Sequence, residues 1–330
     1  MTRRGSGHHA SAEFGASLTA AFGAARVRAG VPLAPFTTFR LGGPAEWLLE
    51  TRSSAELVTA LTLARDAGVA VTLLGGGSNV LVADEGVRGL VIRPRGGDVR
   101  AEGETLVRAD SAVTINGLVR WTITHGRAGL AAWAGTPGTV GGAVSGNAHF
   151  GGRMIGDLVT EVRLASRDGT TTDVAGSAMA FGYDRSRLHE TGEVLLSAVF
   201  RSAPGDPAAL RAVARESLAF RTRTQPLDMP SAGCAFRNPE PGRDVLPDGM
   251  PWSAGALVDR AGLKGAACGG ARVSETHANF IVSDGTATAA DVRALIERCR
   301  GAVREQFGVE LREEIVYLGQ FNRARDAATR

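Results

Sequence analysis

The chain has 330 residues, which is enough for two or three domains, and the 44% that are apolar supply ample core. With 22% charged residues and a net charge of only +3, it is neither a disordered polyelectrolyte nor basic enough to indicate nucleic acid as a partner. Its apolar runs fall far short of the roughly 20 residues that a spanning helix needs, so we expect no membrane segment.

The first part of the chain predicts a βαβ-type unit. Met1–Ser11 has no apolar stretch that would make it a secretory signal, and we expect a disordered lead-in there. Thr51–Gly68 is predicted to be a helix, since Ser53 and Glu56 have the spacing of a capping box. Three short β-like segments surround it: Glu46–Glu50, Ala70–Leu74 and Arg88–Arg93.

The middle of the chain, about residues 98 to 200, has a different pattern. A helix is predicted near Thr114–Gly126, followed by a long glycine-rich stretch. The mixture indicates an α+β arrangement with antiparallel pairing. The β-like segments are Leu158–Ala165, Thr170–Val174 and Val194–Arg201. Ser202–Pro207 is the best linker candidate, because two prolines and a glycine punctuate the chain there.

The last third predicts helices, strands and reduced cysteines. We expect helices up to about Arg223 and at Ala254–Ala261, a strand at Ala278–Ser283, a helix capped by Thr288 and Asp291, and a strand at Glu310–Leu318. Cys234, Cys268 and Cys299 are odd in number and lack C-x-x-C spacing. This pattern is typical of a cytoplasmic protein and excludes a disulfide scaffold and the usual structural zinc sites, so we expect no metal.

Two glycine-rich stretches are candidates for anion binding. Leu73–Asn79 follows a β-like run and could turn its backbone amides toward an anion, or form only a tight turn. Neither a Walker loop nor a G-x-G-x-x-G fingerprint is present. Gly135–Asn147 is longer than a simple turn requires, although a buried helix of small residues is an alternative. Together the two stretches could hold the ends of a pyrophosphate-containing cofactor.

With several later motifs, these stretches resemble UDP-N-acetylenolpyruvoylglucosamine reductases, the MurB family. The resemblance covers roughly residues 30 to 319 in the family's order, and the short span after Tyr183 matches the subclass without an inserted substrate-capping loop. The matching strings are Phe36–Ala45, Leu73–Asn79, Gly135–Asn147, Ser231–Pro239, Ala254–Gly265, Gly269–Ser274, His277–Val282 and Glu313–Gly319.

The resemblance implies an α+β flavoprotein with a two-lobed FAD-binding module of the vanillyl-alcohol-oxidase type and a C-terminal substrate domain. It implies flexible ends at 1–29 and 320–330, FAD-binding lobes at 30–96 and 97–203, and a substrate domain at 204–319. Such an enzyme uses NADPH to reduce non-covalent FAD. It then reduces an enolpyruvyl UDP-sugar to UDP-N-acetylmuramate for peptidoglycan. The implied partner is therefore this small molecule, with no nucleic acid or membrane, and the implied state is a cytoplasmic monomer.

The catalytic residues implied by the resemblance are Cys234, Glu314 and Arg185. Cys234 stands where the family has a serine that acts as general acid, and a thiol retains that role because it is more acidic than an alcohol. Glu314 is chosen over Glu313 because it precedes Ile315, as in the family pattern. The family's Tyr-Arg-x-Ser is Tyr183-Asp-Arg-Ser186 here, so Arg185 is displaced by one position and Arg187 is a second candidate.

The binding residues follow from the same motifs. The substrate-binding candidates are Tyr183, Asn238, Lys264, which is the only lysine, and His277. The cofactor-binding candidates are Leu74, Gly75, Gly76, Gly77, Ser78, Asn79, Gly135, Thr136, Pro137, Gly138, Thr139, Gly141, Gly142 and Asn147.

Two other functions remain open from the sequence. A flavin-dependent oxidase of the same superfamily would attach FAD through a histidine or cysteine, and Gly75–Asn79 offers neither. A non-catalytic nucleotide-binding relative is favoured only by the altered Tyr-Asp-Arg-Ser loop.

Overall fold

The computed structural model describes residues 5–321, with side chains from residue 13 onward. Contacts divide these residues into two compact units. The first contains the chain up to Val31, Ala45–Gly76 and Arg88–Ala219. The second contains Pro32–Pro44, Gly77–Val87 and the chain from Phe220 onward. Two short segments of the N-terminal part, 32–44 and 77–87, are thus grouped with the C-terminal part.

The α-helices confirm the predicted elements and add several. They are Gly5–Phe22, Ser54–Asp66, Ile115–Thr124, Val140–Ser145, Leu188–Thr191, Pro207–Thr224, Ala254–Arg260 and Ala289–Phe307. Within the described residues, none of these helices is long and apolar enough to cross a membrane.

The first unit contains two larger sheets. A four-stranded sheet has the order Val27–Pro32, Pro44–Thr51, Val87–Pro94 and Val71–Leu73, with the last two parallel. A five-stranded antiparallel sheet has the order Thr171–Ala175, Val159–Ala165, Val194–Arg201, Leu106–Asp110 and Val99–Glu102. Two-residue strands pair His149–Phe150 with Arg153–Met154, and Arg127–Ala128 with Ala203–Pro204. The predicted α+β class with antiparallel pairing is confirmed.

The N-terminal helix corrects the expectation of a flexible segment for residues 5–22. Residues 1–4, and 322–330 of the predicted flexible C-terminus, lie outside the described residues. Phe14, Leu18 and Phe22 recur every four residues, and their side chains are buried against the core that contains Leu57. Such spacing places apolar side chains on one helix face, which stabilises the helix by burial. The sequence signal was hidden by glycines. Gly15 is one of them, and a Cβ there would lie 2.2 Å from the Trp47 ring.

The helix Ser54–Asp66 begins where its predicted cap lies. The Ser53 hydroxyl accepts from the Glu56 N–H at 3.2 Å. The Glu56 carboxylate, however, accepts from the Arg52 N–H and, at both of its oxygens, from Nη1 of Arg26, rather than from the Ser53 N–H. The Arg26 hydrogen bond is the main reason why the pKa of Glu56 lies below its usual value.

The second unit has one antiparallel sheet and one parallel pair. The sheet has the order Ser231–Cys234, Phe280–Ser283, Ala271–Val273 and Ala267–Cys268. The predicted strand over Glu310–Leu318 is corrected to Val316–Leu318, which pairs in parallel with Val80–Val82. Residues before it are extended but pair only at single positions, such as Glu313 with Phe236. A strand assignment requires a continuous ladder, which these residues lack.

The helix Ala289–Phe307 covers this sheet and starts as predicted. Thr288 and Asp291 exchange side-chain and backbone hydrogen bonds at 3.1 and 2.9 Å, so the predicted capping box is confirmed. The Asp84 carboxylate accepts hydrogen bonds from two more backbone N–H groups in the first turn of this helix, at 2.8 and 3.0 Å. A carboxylate at a helix N-terminus is favoured by the helix dipole. The 77–87 segment is thereby fixed to the second unit.

Candidate active site

The turn Gly75–Asn79 follows strand Val71–Leu73, and its glycines serve two different needs. Only Gly77 has a left-handed φ, of +63°, so only this glycine is required by backbone conformation. Gly75 and Gly76 are required by space. A Cβ on Gly75 would lie 2.6 Å from the Thr139 hydroxyl, and one on Gly76 would lie 2.5 Å from the Gly138 Cα. The two predicted glycine-rich stretches therefore meet in the first unit.

The amides of this turn are available to a ligand. Leu74 is buried under the turn and donates its N–H to the Ile92 carbonyl at 2.9 Å. From Gly75 to Asn79, including Ser78, no backbone N–H donates to another group within residues 5–321. A run of unused amides without bulky side chains suits an anion such as a pyrophosphate.

Gly135–Asn147 combines both readings that the sequence left open. Its first part is a turn, with φ of +82° at Gly135 and +101° at Gly138. Its second part is the short helix Val140–Ser145, capped by the Thr139 hydroxyl. The alternative of a small-residue helix is thus correct for residues 140–145. Thr136, Pro137, Gly141 and Gly142 lie in this turn and helix, and a Cβ on Gly141 would lie 3.2 Å from the Ser111 carbonyl.

Asn147 ends this stretch with its side-chain amide used inside the first unit. The amide donates to the Gly182 carbonyl at 2.8 Å and accepts from the Gly156 N–H at 2.9 Å. Only 2% of the residue is exposed, and its φ is +45°. Asn147 therefore fixes the end of the glycine-rich stretch to the loop that carries Tyr183 and Arg185.

The loop that carries Tyr183 and Arg185 is a tight turn. Asp184, which differs from the family motif, has a side-chain partner there. Gly182 and Arg185 exchange backbone hydrogen bonds at 3.1 and 3.3 Å, and Asp184 has a φ of +53°. The Asp184 carboxylate lies 3.3 Å from His149 Nδ1, and the His149 and Tyr183 rings lie 4.9 Å apart. Asp184, which stands where the resemblance expects arginine, is thus held inside the first unit.

The two candidate arginines have different environments. Arg187 makes two hydrogen bonds to the Glu193 carboxylate, at 2.9 and 3.1 Å. Arg185 has an exposed side chain. Because Arg187 is held in an ion pair, Arg185 is the better candidate for binding a substrate anion.

In the second unit, Cys234 and Glu314 lie on neighbouring segments. Cys234 is half-buried and ends strand Ser231–Cys234, where it pairs with Phe280. The next residue, Ala235, accepts the Glu314 N–H at its carbonyl at 2.9 Å. The structure therefore brings together the two residues predicted to handle the proton.

The turn Gly77–Asn79 reaches the same place. The side-chain amide of Asn79 donates to the Glu314 backbone carbonyl at 3.1 Å, and the backbone carbonyl of Asn79 accepts from the Val316 N–H at 3.0 Å. On the other side, the Thr38 N–H donates to the Gly77 carbonyl and the Thr38 hydroxyl to the Ser231 carbonyl. These bonds connect the end of a predicted cofactor-binding turn to both proton-handling segments.

Glu313 and Glu314 are distinguished by their surroundings. The Glu313 carboxylate accepts from Arg300 at 3.3 Å. It also contributes, after burial, to raising the pKa of Tyr317 above its ordinary value. Successive side chains of extended backbone point to opposite sides. Because Glu314 is the next residue, we expect its side chain to lie on the opposite side of the segment from that of Glu313.

The predicted substrate residues Lys264 and His277 lie close together, and Asn238 faces a helix start. Lys264 forms an ion pair with Asp259 at 2.9 Å. Its positive charge is close enough to His277 to contribute to lowering the pKa of that residue. The Asn238 side chain is exposed, and its oxygen accepts from the Ala254 N–H at 3.0 Å. An ammonium group near an exposed amide suits a polar, phosphorylated ligand.

The ionisation of His277 predicts a pH dependence of stability. Burial, followed by the Lys264 charge, lowers its pKa below 6.5. The unfolded chain therefore binds a proton at His277 more readily than the folded chain does, so protonation of His277 favours unfolding. The free energy of unfolding falls as the pH falls below about 6.5. We expect His277→Asn, which keeps an acceptor for the Asn279 N–H, to lose less free energy of unfolding than the wild type between pH 7.5 and 5.5. Urea denaturation at both values measures this, and equal losses in the two proteins would contradict it.

Two asparagines were missed by the sequence reasoning. Asn279 is 3% exposed and makes hydrogen bonds to the residues just after Cys234. Asn116 accepts the Gly135 N–H at 2.8 Å and so orients the second glycine-rich stretch. The available signal for Asn279 was a polar residue between apolar ones in His277–Val282. Asn116 gave no signal, because its partner lies 19 positions away.

Comparisons with known proteins place both parts of the chain in known families. Residues 45–175 match the family described as FAD binding domain, and residues 225–318 match the C-terminal domain of UDP-N-acetylenolpyruvoylglucosamine reductase. The reductase of that name from Synechococcus sp. (strain JA-3-3Ab) is 39% identical over 300 residues, covering 90% of this chain and 93% of the relative. The one from Moorella thermoacetica is 41% identical over 290 residues, covering 88% and 92%.

A solved structure extends the agreement to the fold. The crystal structure of UDP-N-acetylenolpyruvylglucosamine reductase from Thermus caldophilus superimposes with a TM-score of 0.73 at 33% identity. The match covers 89% of this chain and 99% of that one. The chain matches an FAD-binding domain and the C-terminal domain of these reductases, and it is about 40% identical to members of the family over about 90% of its length. It therefore belongs to the UDP-N-acetylenolpyruvoylglucosamine reductase family.

Proposed function

We propose that this chain reduces the enolpyruvyl ether of UDP-N-acetylenolpyruvoylglucosamine to UDP-N-acetylmuramate, with NADPH as hydride donor and FAD as carrier. The observation that carries the proposal is the pairing of the segments of Cys234 and Glu314 through the Ala235 carbonyl, in a chain of this family. The role of the enzyme in peptidoglycan synthesis, and hence in cell shape and division, is part of the same proposal.

The residues present fit FAD. The amides of Gly75–Asn79 are unused within the described chain, and the approach of Gly76 to Gly138 leaves no room for a side chain. We assign pyrophosphate binding to this turn, with Gly135–Gly142 beside it. When bound, FAD supplies a two-electron carrier between NADPH and the enol ether. No histidine or cysteine lies in Gly75–Asn79, which supports non-covalent binding.

Cys234 holds the proton that completes the reduction. Hydride addition to the terminal enol carbon leaves negative charge on the adjacent carbon and its carboxylate, so a positioned acid is needed. An ordinary thiol, with a pKa of about 8.5, is mostly protonated at neutral pH. Glu314, on the neighbouring segment, assists this transfer. The Arg185 guanidinium stabilises the carboxylate charge.

The remaining candidates bind the UDP-sugar. Lys264 and His277 meet the diphosphate and uridine side, and Asn238 and Tyr183 hydrogen-bond polar groups of the sugar. The role of Lys264 together with His277 is supported by their proximity, since the Lys264 charge contributes to lowering the pKa of His277. One retained lysine in an arginine-rich chain also favours a requirement for a compact ammonium.

The three-part division 30–96, 97–203 and 204–319 also remains a proposal. It is supported by three separate buried clusters, represented by Leu57, Phe200 and Leu295. The third cluster also takes in Phe39 and Leu81, so the first boundary is not a single position. We further propose that the enzyme works as a cytoplasmic monomer, in keeping with its reduced cysteines.

A flavin reoxidation experiment tests the function. The purified protein is expected to be yellow, to release its flavin on acid treatment and to bleach with NADPH under anaerobic conditions. Adding UDP-N-acetylenolpyruvoylglucosamine should restore the oxidised spectrum, whereas UDP-N-acetylglucosamine, which lacks the enol ether, should not. Reoxidation by oxygen alone would favour an oxidase, and a protein that bleaches but never reoxidises with the enol ether would favour a non-catalytic relative.

The two neighbouring glutamates give a paired prediction. Glu314→Gln is expected to slow substrate-dependent reoxidation by at least about 10-fold, because a group that assists proton transfer is lost. Glu313→Gln should instead weaken the ion pair with Arg300 and change reoxidation little. Stopped-flow absorbance of the flavin measures both. A larger effect of Glu313→Gln would mean that the alignment is shifted by one residue.

A further inference from the structure

Asn279 makes a closed set of hydrogen bonds to the residues that follow Cys234. Its side-chain oxygen accepts from the Phe236 N–H at 2.9 Å, and its side-chain nitrogen donates to the Phe236 carbonyl at 2.7 Å. Its own carbonyl accepts from the Ala235 N–H at 2.7 Å. With 3% of Asn279 and 1% of Phe236 exposed, these bonds are shielded from water.

The strand ladder that ends at Cys234 is irregular. The pairing of Ser231–Cys234 with Phe280–Ser283 has a register irregularity between its ends. The Asn279 side chain provides the backbone partners for Phe236, as a strand neighbour would. Ala235 also accepts the Glu314 N–H, so the residues that Asn279 holds are bonded directly to the carboxylate-bearing segment.

We propose that Asn279 is a positioning residue that holds the Cys234 thiol in register with Glu314 for proton delivery. The proposal rests on the proposed function for its kinetic consequence. The chemistry of the side chain matters, because a primary amide presents an acceptor oxygen and a donor nitrogen side by side, and Phe236 uses both. Aspartate matches its shape but cannot donate when ionised, and glutamine is longer by one methylene group.

The test compares holoenzyme variants in the two half-reactions. Asn279→Asp is expected to keep its FAD and its rate of reduction by NADPH, and to be reoxidised by UDP-N-acetylenolpyruvoylglucosamine about 10- to 100-fold more slowly. KM for that substrate should change less than kcat. Ser283→Ala is the matched control, because it removes a partly buried hydrogen bond from the Gly285 N–H, at the far end of the strand that follows Asn279, and makes no bond to Phe236. Its rates should equal those of the wild type.

A double variant separates positioning from general damage. If Asn279 acts through the thiol, Asn279→Asp should add no further slowing in a Cys234→Ala background, since the acid is already absent. Equal slowing in both backgrounds, or a wild-type reoxidation rate in the single variant, would overturn the proposal.

An alkylation experiment keeps the proposal testable if the proposed substrate fails. In Asn279→Asp, iodoacetamide should modify Cys234 several-fold faster than in the wild type, as located by mass spectrometry. The half-buried Cys268 provides an internal control and should react at an unchanged rate. An unchanged alkylation rate at Cys234 would overturn the positioning role. If the wild type itself shows no substrate-dependent reoxidation, only the proposed function would be overturned.

Discussion

Replacing Cys234 with alanine is expected to leave flavin reduction by NADPH intact and to slow reoxidation by the enol ether by roughly 10²- to 10⁴-fold. The range is what a positioned general acid typically contributes. Cys234→Ser should keep substantial turnover, because a hydroxyl at the same place can still deliver a proton. Anaerobic stopped-flow measurement of the two half-reactions separates these outcomes.

Cys268→Ala is the matched control for this variant. Cys268 is also half-buried and belongs to the same sheet, but its strand lies at the opposite end of the strand order. Both half-reactions should be normal in this control. Normal reoxidation in Cys234→Ala would show that another group supplies the proton, and the assignment of the thiol would be wrong.

Introducing a methyl group at Gly76 is expected to abolish FAD retention. In Gly76→Ala the new Cβ would lie 2.5 Å from the Gly138 Cα, which is backbone and cannot rotate away. The two glycine-rich stretches must then separate, at a cost of about 1–3 kcal/mol in unfolding free energy. The ratio of flavin absorbance at 450 nm to protein absorbance after purification measures retention, and Tm measures stability.

Gly146→Ala tests whether any methyl group in these stretches has the same effect. A Cβ on Gly146 would lie 3.6 Å from its nearest neighbour, the Gly142 carbonyl, which is an ordinary contact. This variant should therefore remain yellow with a nearly unchanged Tm. Stoichiometric FAD in Gly76→Ala would contradict the proposed role of the contact between the stretches.

Local signals predicted much of the fold because they depend on neighbours in the chain. Ser53 and Thr288 were recognised as caps from residues three positions away, and both caps are present. The glycine-rich stretches were also recognisable. That Gly76 is required by a close contact was not, because this contact depends on Gly138, 62 positions later.

The missed features depend on distant partners. The helix Gly5–Phe22 is held by burial of Phe14 and Leu18 in a core formed by later residues. The role of Asn279 follows from a backbone 43 positions away, and a single asparagine has no periodicity to reveal it. The choice between neighbouring glutamates likewise needed Arg300, which shows where Glu313 points.

The parallel pairing of Val80–Val82 with Val316–Leu318 joins residues more than 230 positions apart. During synthesis on the ribosome, the early strand emerges long before its partner exists. The second unit can therefore complete its fold only after Val316–Leu318 has left the exit tunnel, and deleting these three residues would remove the partner of Val80–Val82.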